Sequence, residues 1–518
     1  MPLAKSNAIS LVGLSGTVVE VEADISSNLP GFVLVGLPDA SLSEASARVR
    51  AAITNSGFKL PARKITVNLS PAAVPKFGSS FDLAIAISVL AANSPFENSR
   101  IAECVHIGEL ALDGSVRPVN GVLPAVMAAK NSGFSMAVVP VANANEARLV
   151  SGIEIIGVSD LRQAVRVHDA RVSAAQLEVL QCVDEKSASP SDKDISDIFG
   201  QDLAVESMVV AAAGGHHMLM VGSPGVGKTM MAERFAGLLP NLTLDEAIET
   251  TAVHSIARNR GSIGSGLITR PPFEAPHHTA SAVSLIGGGA GMPNPGLVSL
   301  AHNGVLFLDE APEFQQPALE VLRQALESGE VTISRSAGVA RFPARFQLIL
   351  AANPCPCGNA LNPKTQCVCT ALARQRYVNR LSGPLLDRVD IRLQIQSINA
   401  TQALLAREQT DRLTTAQARK RVEAARLVAC ERLRGTGYSL NAQVPAALLR
   451  RRFAAPKQAT KFLDLSLQRG QISMRGYDRC LRLAQTLSDI DGSAQVAESH
   501  IAQAVLLRGS DQFSRQAA

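Results

Sequence analysis

The octapeptide Gly222-Ser-Pro-Gly-Val-Gly-Lys-Thr229 stands between an apolar run, HMLMV, and a helical run, MMAERFAGLL. A buried strand, a glycine-rich loop and a helix in this order are typical of a P-loop, whose backbone N–H groups surround nucleotide phosphates. In such a loop Lys228 contacts the β- and γ-phosphates and the Thr229 hydroxyl binds Mg²⁺. The sequence therefore predicts a nucleotide site formed by Gly222, Ser223, Pro224, Gly225, Val226, Gly227, Lys228 and Thr229.

Two further apolar runs end in polar residues that complete this chemistry. The run VLFL is followed by Asp309, which suits Mg²⁺ binding, and by Glu310, which suits polarisation of the attacking water. The run FQLILAA ends at Asn353, whose amide can orient that water. Phosphoryl transfer also needs a cation at the developing charge. We assign Arg388, in LLDRVD, to the nucleotide of a neighbouring subunit, and Arg475, in the helical run SMRGYDRCLRLA, to nucleotide sensing.

Four of the eight cysteines form two close pairs, Cys355-x-Cys357 and Cys367-x-Cys369, in a polar loop rich in proline and glycine. Two such pairs across a short loop are the ligand set of a tetrahedral S₄ zinc site, so we predict structural Zn²⁺. A reducible disulfide pair and free thiols are the alternatives. The remaining cysteines are isolated and are predicted to be ordinary apolar positions: Cys104, Cys182, Cys430 and Cys480.

The composition indicates a folded, cytoplasmic protein. Of the 518 residues, 46% are apolar and 18% charged, which excludes disorder as the main state. The longest apolar stretch, residues 83–92, is about half the length that spans a membrane, and no export signal is expected. Residues 371–518 contain 24 Lys and Arg against 12 Asp and Glu, whereas residues 1–370 contain 26 against 33. A basic C-terminal third favours contact with a polyanion, with a solvated helical surface as the alternative.

The order of periodic runs predicts three folded regions. Residues 1–166 mix short β-like runs with alanine-rich helical runs, and residues 167–194 are polar and are predicted to be a linker. Residues 195–396, which include the Cys-rich loop 355–369, alternate apolar strands with helices, as in a parallel α/β sheet. Residues 397–518 show only helical periodicity. The predicted fold class is α/β with an all-helical C-terminal domain.

Together these motifs resemble the magnesium-chelatase-like branch of the AAA+ ATPases. The stretches AAAGGHHMLMVGSPGVGKT, FEAPHHTASAVSLIGGG, NPGLVSLAHNGVLFLDE and LAANPCPCG resemble the ComM/YifB family, over nearly the whole chain and in the same domain order. The resemblance implies an AAA+ P-loop core, an N-terminal domain of Lon-protease-like (ribosomal S5 domain 2-like) fold and a C-terminal chelatase-type lid. It also implies ATP as the nucleotide and a ring-shaped, hexameric ATPase, a DNA helicase that drives branch migration in natural transformation.

The resemblance assigns a role to one further stretch, EVTISRSAGVARFPARF at residues 330–346. It looks like the hairpin that such ATPases insert before the sensor strand. Arg335, Arg341 and Arg345 would then face a central pore and bind DNA phosphates. The alternative is a surface β-ribbon without a ligand.

Two other features of the sequence are given no role. The stretch PKFGSSFD looks like the serine loop of Lon-type proteases, with Ser80 at the nucleophile position. A Ser–Lys pair needs a desolvated lysine as its base, and Leu123 occupies the position where the resemblance requires that lysine, so proteolysis is not expected. The adjacent His277 and His278 are expected to bind water or backbone rather than a metal.

Three functions therefore compete. The first is an ATP-driven DNA motor, which the basic C-terminal third and the arginines of the hairpin favour. The second is a chelatase-type remodeller that acts on a protein partner. The third is a DNA-binding ATPase that switches its assembly state without moving along DNA. Stimulation of ATP hydrolysis by DNA separates the first from the second.

Overall fold

The computed structural model describes residues 3–36, 39–96, 100–169, 193–257, 266–289, 293–335, 338–361, 365–397 and 412–509. Most of the predicted linker, residues 170–192, lies outside the described residues, as does Cys182 within it. The same holds for residues 398–411 and 510–518 of the predicted C-terminal domain. Two α/β units and a helical unit follow one another along the described chain.

The N-terminal unit is built on one seven-stranded sheet. Its strands, including two short ones beside the sheet, are β1 Leu3–Val12, β2 Ser15–Ser26, β3 Gly31–Val35, β4 Lys64–Ser70, β5 Cys104–His106, β6 Glu109–Leu110, β7 Val116–Arg117, β8 Met136–Pro140 and β9 Glu154–Val158. Its helices are Asp39–Asn55, Asp82–Asn93, Val122–Asn131, Ala144–Ala147 and Leu161–His168, with 3₁₀ turns at Ile101–Glu103 and Val141–Asn143. The strand order is β3-β4-β2-β1-β5-β8-β9, and β2 pairs antiparallel with both neighbours while the other pairs are parallel.

Burial in this unit follows the sequence pattern. In β2 every second residue from Val19 to Ile25 is buried, because one face of the sheet covers a core while the other is partly solvated. The helix Asp82–Asn93, DLAIAISVLAAN, is apolar on nearly every side and is buried from Asp82 to Ala92. It packs across β1 and β2 as the central helix of the core. Two of the short β-like runs of residues 1–166, VVEVEADI and KITVNLS, lie in β2 and β4.

The second unit contains a five-stranded parallel sheet. Its strands and those of two small hairpins are β10 Met218–Gly222, β11 Phe273–Glu274, β12 Gly287–Gly288, β13 Asn294–Pro295, β14 Val305–Leu308, β15 Glu330–Arg335, β16 Gly338–Pro343, β17 Gln347–Ala352 and β18 Ile391–Ile395. Its helices are Asp202–Gly214, Lys228–Phe235, Leu244–Ile256, Ala282–Ile286, Leu297–Leu300, Gln316–Ser328, Ala371–Asn379 and Gly383–Leu386, with 3₁₀ turns at Ile195–Asp197, Ala236–Leu238 and Ala311–Glu313.

The strand order of this sheet brings the predicted motifs together. The order is β11-β14-β17-β10-β18, and all four pairs are parallel. The P-loop follows β10, the two carboxylates follow β14, and Asn353 follows β17. Because the carboxyl ends of parallel strands meet at one edge of a sheet, these motifs share that edge.

The third unit, within residues 412–509, contains helices and no strand. These are Thr415–Leu433, Ala446–Arg451, Lys457–Gln468, Met474–Ile490 and Glu498–Arg508, with a 3₁₀ turn at Asn441–Gln443. A buried polar network joins it to the parallel sheet: Arg479 donates to Asp390, and His216 Nδ1 lies 3.0 Å from the Asp390 carboxylate. Burial alone would raise the pKa of Asp390, but the charge of Arg479 and the hydrogen bond from His216 hold it below its usual range. The network therefore docks the helical unit onto the ATPase-like core as a fixed ion pair.

The N-terminal unit also contacts the second unit. The β1–β2 turn lies under the β15–β16 hairpin, since a Cβ at Gly13 would lie 2.8 Å from the carbonyl oxygen of Arg341. The Gly121 N–H donates to the Ser255 carbonyl over 2.8 Å, which joins the two units at a second point. The β1–β2 turn of the N-terminal unit thus packs against strand β16 of the hairpin.

The fold class predicted from the sequence is confirmed: two α/β units, one with a parallel P-loop sheet, precede a helical C-terminal unit. Among the helices of the described ranges, none combines the length and the apolar character that crossing a membrane requires.

Candidate nucleotide site and its surroundings

The P-loop has the backbone of an anion-binding loop. Gly225 and Gly227 adopt φ values of +79° and +90°, in the left-handed region that glycine enters without strain. Gly227 precedes the helix Lys228–Phe235, so the N–H groups at the start of that helix are directed into the loop. A Cβ at Gly222 would lie 2.7 Å from the carbonyl oxygen of Ile395, which explains why the first position is also glycine.

Lys228 folds back over its own loop. Its Nζ donates to the carbonyl oxygens of Gly222 and Ser223 over 2.7 and 3.0 Å, and to Asn353 Oδ1 over 3.1 Å. Burial lowers the pKa of Lys228, an effect that the charges of Asp309 and Glu310 partly offset. These contacts place the ammonium group inside the loop. When a nucleotide binds to a loop of this type, phosphate oxygens take the place of the carbonyl oxygens as partners of the lysine.

The predicted magnesium ligands are in direct contact. The Thr229 hydroxyl donates to Asp309 Oδ2 over 2.6 Å, and the other carboxylate oxygen of Asp309 accepts from the Glu310 N–H over 2.9 Å. A hydroxyl and a carboxylate side by side at the edge of a P-loop are hard oxygen ligands of the kind that Mg²⁺ prefers. The pair therefore fits a magnesium ion that also binds phosphate oxygens.

Glu310 is directed toward a residue for which sequence analysis gave no role. Its backbone has φ +49°, a left-handed conformation that non-glycine residues adopt rarely. Its Oε2 lies 3.3 Å from His278 Nδ1. The signal in the sequence is that His278 follows β11, the neighbour of β14, but β11 has only two residues and escapes a search for apolar strands.

Asn353 lies beside a second residue that the sequence analysis missed. The backbone N–H of Asn353 is close enough to the phenol oxygen of Tyr377 to lower the pKa of that phenol, whereas burial, the larger effect, raises it. Tyr377 lies in the helix Ala371–Asn379, which follows the Cys-rich loop. The side-chain amide of Asn353 is itself oriented by its hydrogen bond from Lys228.

Arg388 and Arg475 are neighbours whose described hydrogen bonds join residues outside the P-loop. Arg388 donates to the Pro384 carbonyl over 2.7 Å and to Glu327, and Arg475 donates to Asp387 over 2.9 Å. Burial and the charges of nearby arginines lower the pKa of Arg388. None of their described hydrogen bonds reaches residues 222–229. The structure thus brings Lys228, Thr229, Asp309, Glu310 and Asn353 into one site, and the described hydrogen bonds of the two arginines do not join that site.

The four cysteines of the loop converge as the sequence predicts. The Sγ of Cys355 lies 3.4 Å from that of Cys357 and 3.7 Å from that of Cys367, and the Cys357–Cys367 distance is 3.6 Å. With the Sγ of Cys369 included, the four sulfur atoms all lie within 4.8 Å of one another. Zn–S bonds of about 2.3 Å place the sulfurs of a tetrahedral site about 3.8 Å apart. The spacing of this cluster therefore fits one zinc ion.

The cysteine cluster touches the nucleotide site. A Cβ at Gly358, the residue after Cys357, would lie 2.6 Å from Cδ of Pro224 in the P-loop. Gly358 has φ +78°, so both its conformation and this contact require glycine. The loop that carries the cysteines thus packs directly on the loop that carries the phosphate-binding groups.

The hairpin predicted within residues 330–346 is present as β15 and β16. Val331, Ile333, Ala340 and Phe342 are buried on one face of the hairpin, whereas Thr332, Ser334, Val339 and Arg341 are exposed on the other. Arg335, at the end of β15, is also exposed but belongs to the face of Val331 and Ile333. Arg345 is exposed and follows β16, so it lies outside the paired strands. Of the three predicted arginines, Arg341 therefore lies on the open face and Arg335 at the tip of the hairpin.

The predicted apolar role of the isolated cysteines holds for Cys480, which is buried, and is wrong for Cys430, which is exposed. Cys104 is buried but not isolated, because it lies beside His106 and His168. The Nε2 atoms of the two histidines are 2.8 Å apart and their ring centres 4.9 Å apart, so the rings meet nearly end to end. That arrangement is a hydrogen bond between two neutral imidazoles rather than two ligands directed at a common metal.

Several arginines of the C-terminal third make contacts within the protein. Arg432 pairs with Asp489, Arg450 with Asp478 and Arg479 with Asp390. Arg426 donates to the Ala212 carbonyl and is partly buried. These four arginines are therefore engaged within the protein, but the three ion pairs lie inside residues 371–518 and leave its positive balance unchanged.

Comparisons with known proteins agree with this architecture. Residues 194–403 match the family model of magnesium chelatase, subunit ChlI; residues 21–143 match subunit ChlI of Mg-chelatase; and residues 412–508 match the ChlI C-terminal model. The chain is 40% identical to competence protein ComM of Haemophilus influenzae over 508 residues, covering 98% of this chain and 97% of that one. The chain belongs to the ComM/YifB family.

Other relatives of this ComM/YifB protein also match it over nearly their full length. An uncharacterized protein of Mycobacterium tuberculosis is 47% identical over 509 residues, covering 98% of this chain and 99% of that one. YifB of Escherichia coli, also uncharacterized, is 38% identical over 518 residues, covering 99% and 98%. Membership of a magnesium-chelatase-like AAA+ family implies ATP and Mg²⁺ as ligands, and the contacts of Lys228, Thr229 and Asp309 fit both.

Proposed function

We propose that this protein is a cytoplasmic, ATP-driven DNA motor that promotes branch migration of recombining DNA during natural transformation. One observation carries the proposal: a hairpin with exposed Arg335 and Arg341 leads directly into β17, the strand that ends beside Asn353 of the nucleotide site. The competence protein of H. influenzae supports the biological setting by its name. Arginines on a projecting hairpin suit sequence-independent contacts with phosphates, which a motor needs at every step.

The nucleotide chemistry follows from the site. Lys228 binds the β- and γ-phosphates, and Thr229 with Asp309 holds Mg²⁺. Glu310 polarises the attacking water, and Asn353, which accepts a hydrogen bond from Lys228, orients that water or the γ-phosphate. Lys228 exchanges its carbonyl contacts for phosphate oxygens, and Glu310 turns from His278 toward the water.

The site needs a second subunit to become complete. Arg388 and Arg475 share a surface that makes no described contact with the P-loop of their own chain. We propose that this surface faces the nucleotide of the neighbouring subunit in a hexameric ring. Arg388 then supplies the cation for the transition state and Arg475 senses the bound nucleotide.

Removal of the two exposed hairpin arginines tests the DNA contact. We expect the Arg335→Ala/Arg341→Ala protein to bind single-stranded DNA more weakly, with ATP affinity unchanged. Each lost phosphate contact should reduce the slope of log K against log salt by about 0.7 for single strands. Fluorescence anisotropy of a labelled oligonucleotide at several salt concentrations measures this slope.

A matched control removes the same charge elsewhere. Arg50 and Arg63 are exposed on the N-terminal unit, and Arg50→Ala/Arg63→Ala should leave DNA affinity and its salt slope unchanged. Equal loss of DNA binding in the two double variants would mean that net charge, rather than the hairpin, sets the affinity. A protein partner that stimulates ATP hydrolysis where DNA does not would favour the remodelling function instead.

We also propose that the cluster of Cys355, Cys357, Cys367 and Cys369 holds one structural Zn²⁺. The sulfur atoms of Cys355, Cys357 and Cys367 lie 3.4 to 3.7 Å from one another. These distances support the proposal because they match the spacing of sulfur ligands about a tetrahedral zinc ion. The contact between Gly358 and Pro224 suggests what the metal does: by fixing the cysteine loop, it stabilises the P-loop that packs against that loop.

Loss of this metal should weaken nucleotide binding. We expect Cys357→Ser to reduce zinc from about one per chain to none, to lower the melting temperature by several degrees, and to raise the Kd for ATP, because the support under Pro224 is lost. Elemental analysis, calorimetry and titration with a fluorescent ATP analogue measure the three effects. Cys430→Ser, at an exposed cysteine, should change none of them. Wild-type protein purified without chelator that contains no zinc would contradict the proposal.

We infer that the N-terminal unit has no protease activity. Leu123, at the position where a Ser–Lys pair needs its base, is fully buried at the start of the helix Val122–Asn131. Without that lysine, Ser80 is an unactivated hydroxyl.

A further inference from the structure

Arg479, in the helix Met474–Ile490 of the helical unit, contacts the loop that carries Arg388. Its Nη1 donates to the Arg388 carbonyl over 3.0 Å and also donates to the Asp390 carboxylate. The side chain of Arg479 is 16% exposed and that of Asp390 is 3% exposed, so solvent screens this ion pair only weakly. One guanidinium thus holds the main chain of residue 388 and the side chain two residues further on.

The carboxylate of Asp390 is itself held by other hydrogen bonds. Its second oxygen lies 3.0 Å from His216 Nδ1, and the opposite ring nitrogen of His216 lies 2.8 Å from the Thr486 hydroxyl. The Asp390 N–H also donates to the His217 carbonyl over 3.1 Å. The acidic partner of Arg479 is therefore fixed from several sides, which makes the guanidinium a rigid support.

Two further arginines of the helical unit contact the flanking residues of the loop. Arg475, which lies one turn earlier on the same helix, donates to the Asp387 carboxylate over 2.9 Å, and Arg508 donates to the Val389 carbonyl over 3.3 Å. The pair of Arg475 with Asp387 is exposed and restrains the loop less than a buried pair. The helical unit therefore contacts three successive residues of the loop, and Arg479 makes the buried contact.

The contact with Arg479 bears on catalysis because it fixes the backbone of Arg388 without occupying its guanidinium. That guanidinium donates to the Pro384 carbonyl and to Glu327 of its own chain. An arginine that stabilises a transition state has to be placed closely, since a displacement of about 1 Å can reduce a reaction rate by about 100-fold. A buried ion pair against the backbone of the loop is a suitable restraint for this purpose.

We infer that Arg479 is a positioning residue that places Arg388 for the nucleotide of the neighbouring subunit. The inference rests on the shared site proposed above. It makes the helical unit of one chain set the rate of hydrolysis at the P-loop of the next chain. Loss of Arg479 should therefore resemble loss of Arg388, while the altered chain still binds its own nucleotide.

The test measures ATP turnover of the full-length protein at a concentration at which the wild type is assembled. Arg479→Met/Asp390→Asn removes the restraint without leaving a buried charge unpaired, and should lower kcat by about 10- to 100-fold with unchanged affinity for a fluorescent ATP analogue. Asp390→Asn alone leaves Arg479 on the Arg388 carbonyl and should lower kcat less. An equal loss in the two proteins would overturn the inference, because it would assign the effect to the carboxylate.

A lysine at the same position and an arginine elsewhere on the helix provide the controls. Arg479→Lys keeps a cation beside Asp390 and should retain part of the activity. Arg482 lies three residues further along the helix and donates to the Val444 carbonyl over 2.8 Å, within the helical unit. Arg482→Lys should therefore keep the wild-type kcat, and thermal unfolding of each variant confirms that it is folded.

Mixed chains decide which nucleotide site Arg479 serves. The double variant mixed with Lys228→Ala chains should regain activity, because some interfaces then pair an intact P-loop with a correctly placed Arg388. Mixed with Arg388→Ala chains it should stay at the low rate, because neither chain then supplies a correctly placed arginine. The reverse pattern would overturn the inference, since it would place the effect of Arg479 at the nucleotide site of its own chain.

Failure of the shared site gives a different result. If Arg388→Ala and Lys228→Ala chains do not restore each other, the shared site is wrong, and hydrogen exchange of residues 386–392 tests the restraint by itself. Exchange in the double variant that is about 2- to 10-fold faster than in the wild type, the change that one net hydrogen bond imposes, would support the restraint on the loop. Equal exchange in the two proteins would overturn it.

Discussion

The Glu310→Gln protein is expected to bind ATP with near wild-type affinity and to hydrolyse it about 100- to 10,000-fold more slowly, the range for loss of a general base. The amide keeps the shape of the side chain but accepts no proton from water. Asp309, Thr229 and Lys228 remain intact, so Mg²⁺ and the phosphates stay bound. ATP-bound protein should therefore accumulate as an assembled ring, measurable by single-turnover hydrolysis and by mass in solution.

Two comparisons make this result specific. Lys228→Ala should lose nucleotide binding itself, because Lys228 is the ammonium group buried in the P-loop. Glu313→Gln alters a carboxylate three residues further on, which pairs with Arg380, and should leave turnover close to that of the wild type. Hydrolysis by Glu310→Gln at the wild-type rate would show that another residue activates the water.

Arg388→Ala should abolish ATP hydrolysis, by about 10³- to 10⁵-fold if it acts as an arginine finger, and leave ATP binding by each chain largely unchanged. The reason is the role proposed for Arg388 at the nucleotide of a neighbouring subunit, because its described hydrogen bonds do not join its own P-loop. Specific activity of the wild type should then rise with protein concentration as rings assemble. Steady-state turnover across a dilution series, beside molar mass by light scattering, measures both.

Mixing variants provides the sharpest check of a shared site. Arg388→Ala chains and Lys228→Ala chains should each be inactive, and together they should regain activity, because some interfaces then pair an intact P-loop with an intact Arg388. Arg323→Ala is the matched control, since Arg323 lies nearby and contacts the same Glu327. Hydrolysis by a monomer that is independent of concentration and insensitive to Arg388→Ala would rule out the shared site.

The sequence by itself determined the parts of the site that depend on local structure. A strand, a glycine-rich loop and a helix form a P-loop wherever the backbone can enter the left-handed region, and Gly225 and Gly227 supply that freedom. The two carboxylates and Asn353 were located because each ends an apolar strand, and parallel strands place such ends at one edge. The cysteine pairs were recognisable for the same reason, since their spacing is a local property, whereas the hairpin was predicted from the resemblance to the family.

Only the tertiary structure decided which distant segments meet. His278 contacts Glu310 because β11 pairs with β14, a pairing too short to leave an apolar pattern in the sequence. Gly358 reaches Pro224 because β17 and β10 are neighbours, so the loops that follow them touch. Three arginines of the helical unit form ion pairs with Asp390, Asp478 and Asp489 once the helices pack; they are Arg479, Arg450 and Arg432. Spacing along the chain encodes local backbone geometry, whereas strand order and burial, which depend on the whole core, determine these long-range contacts.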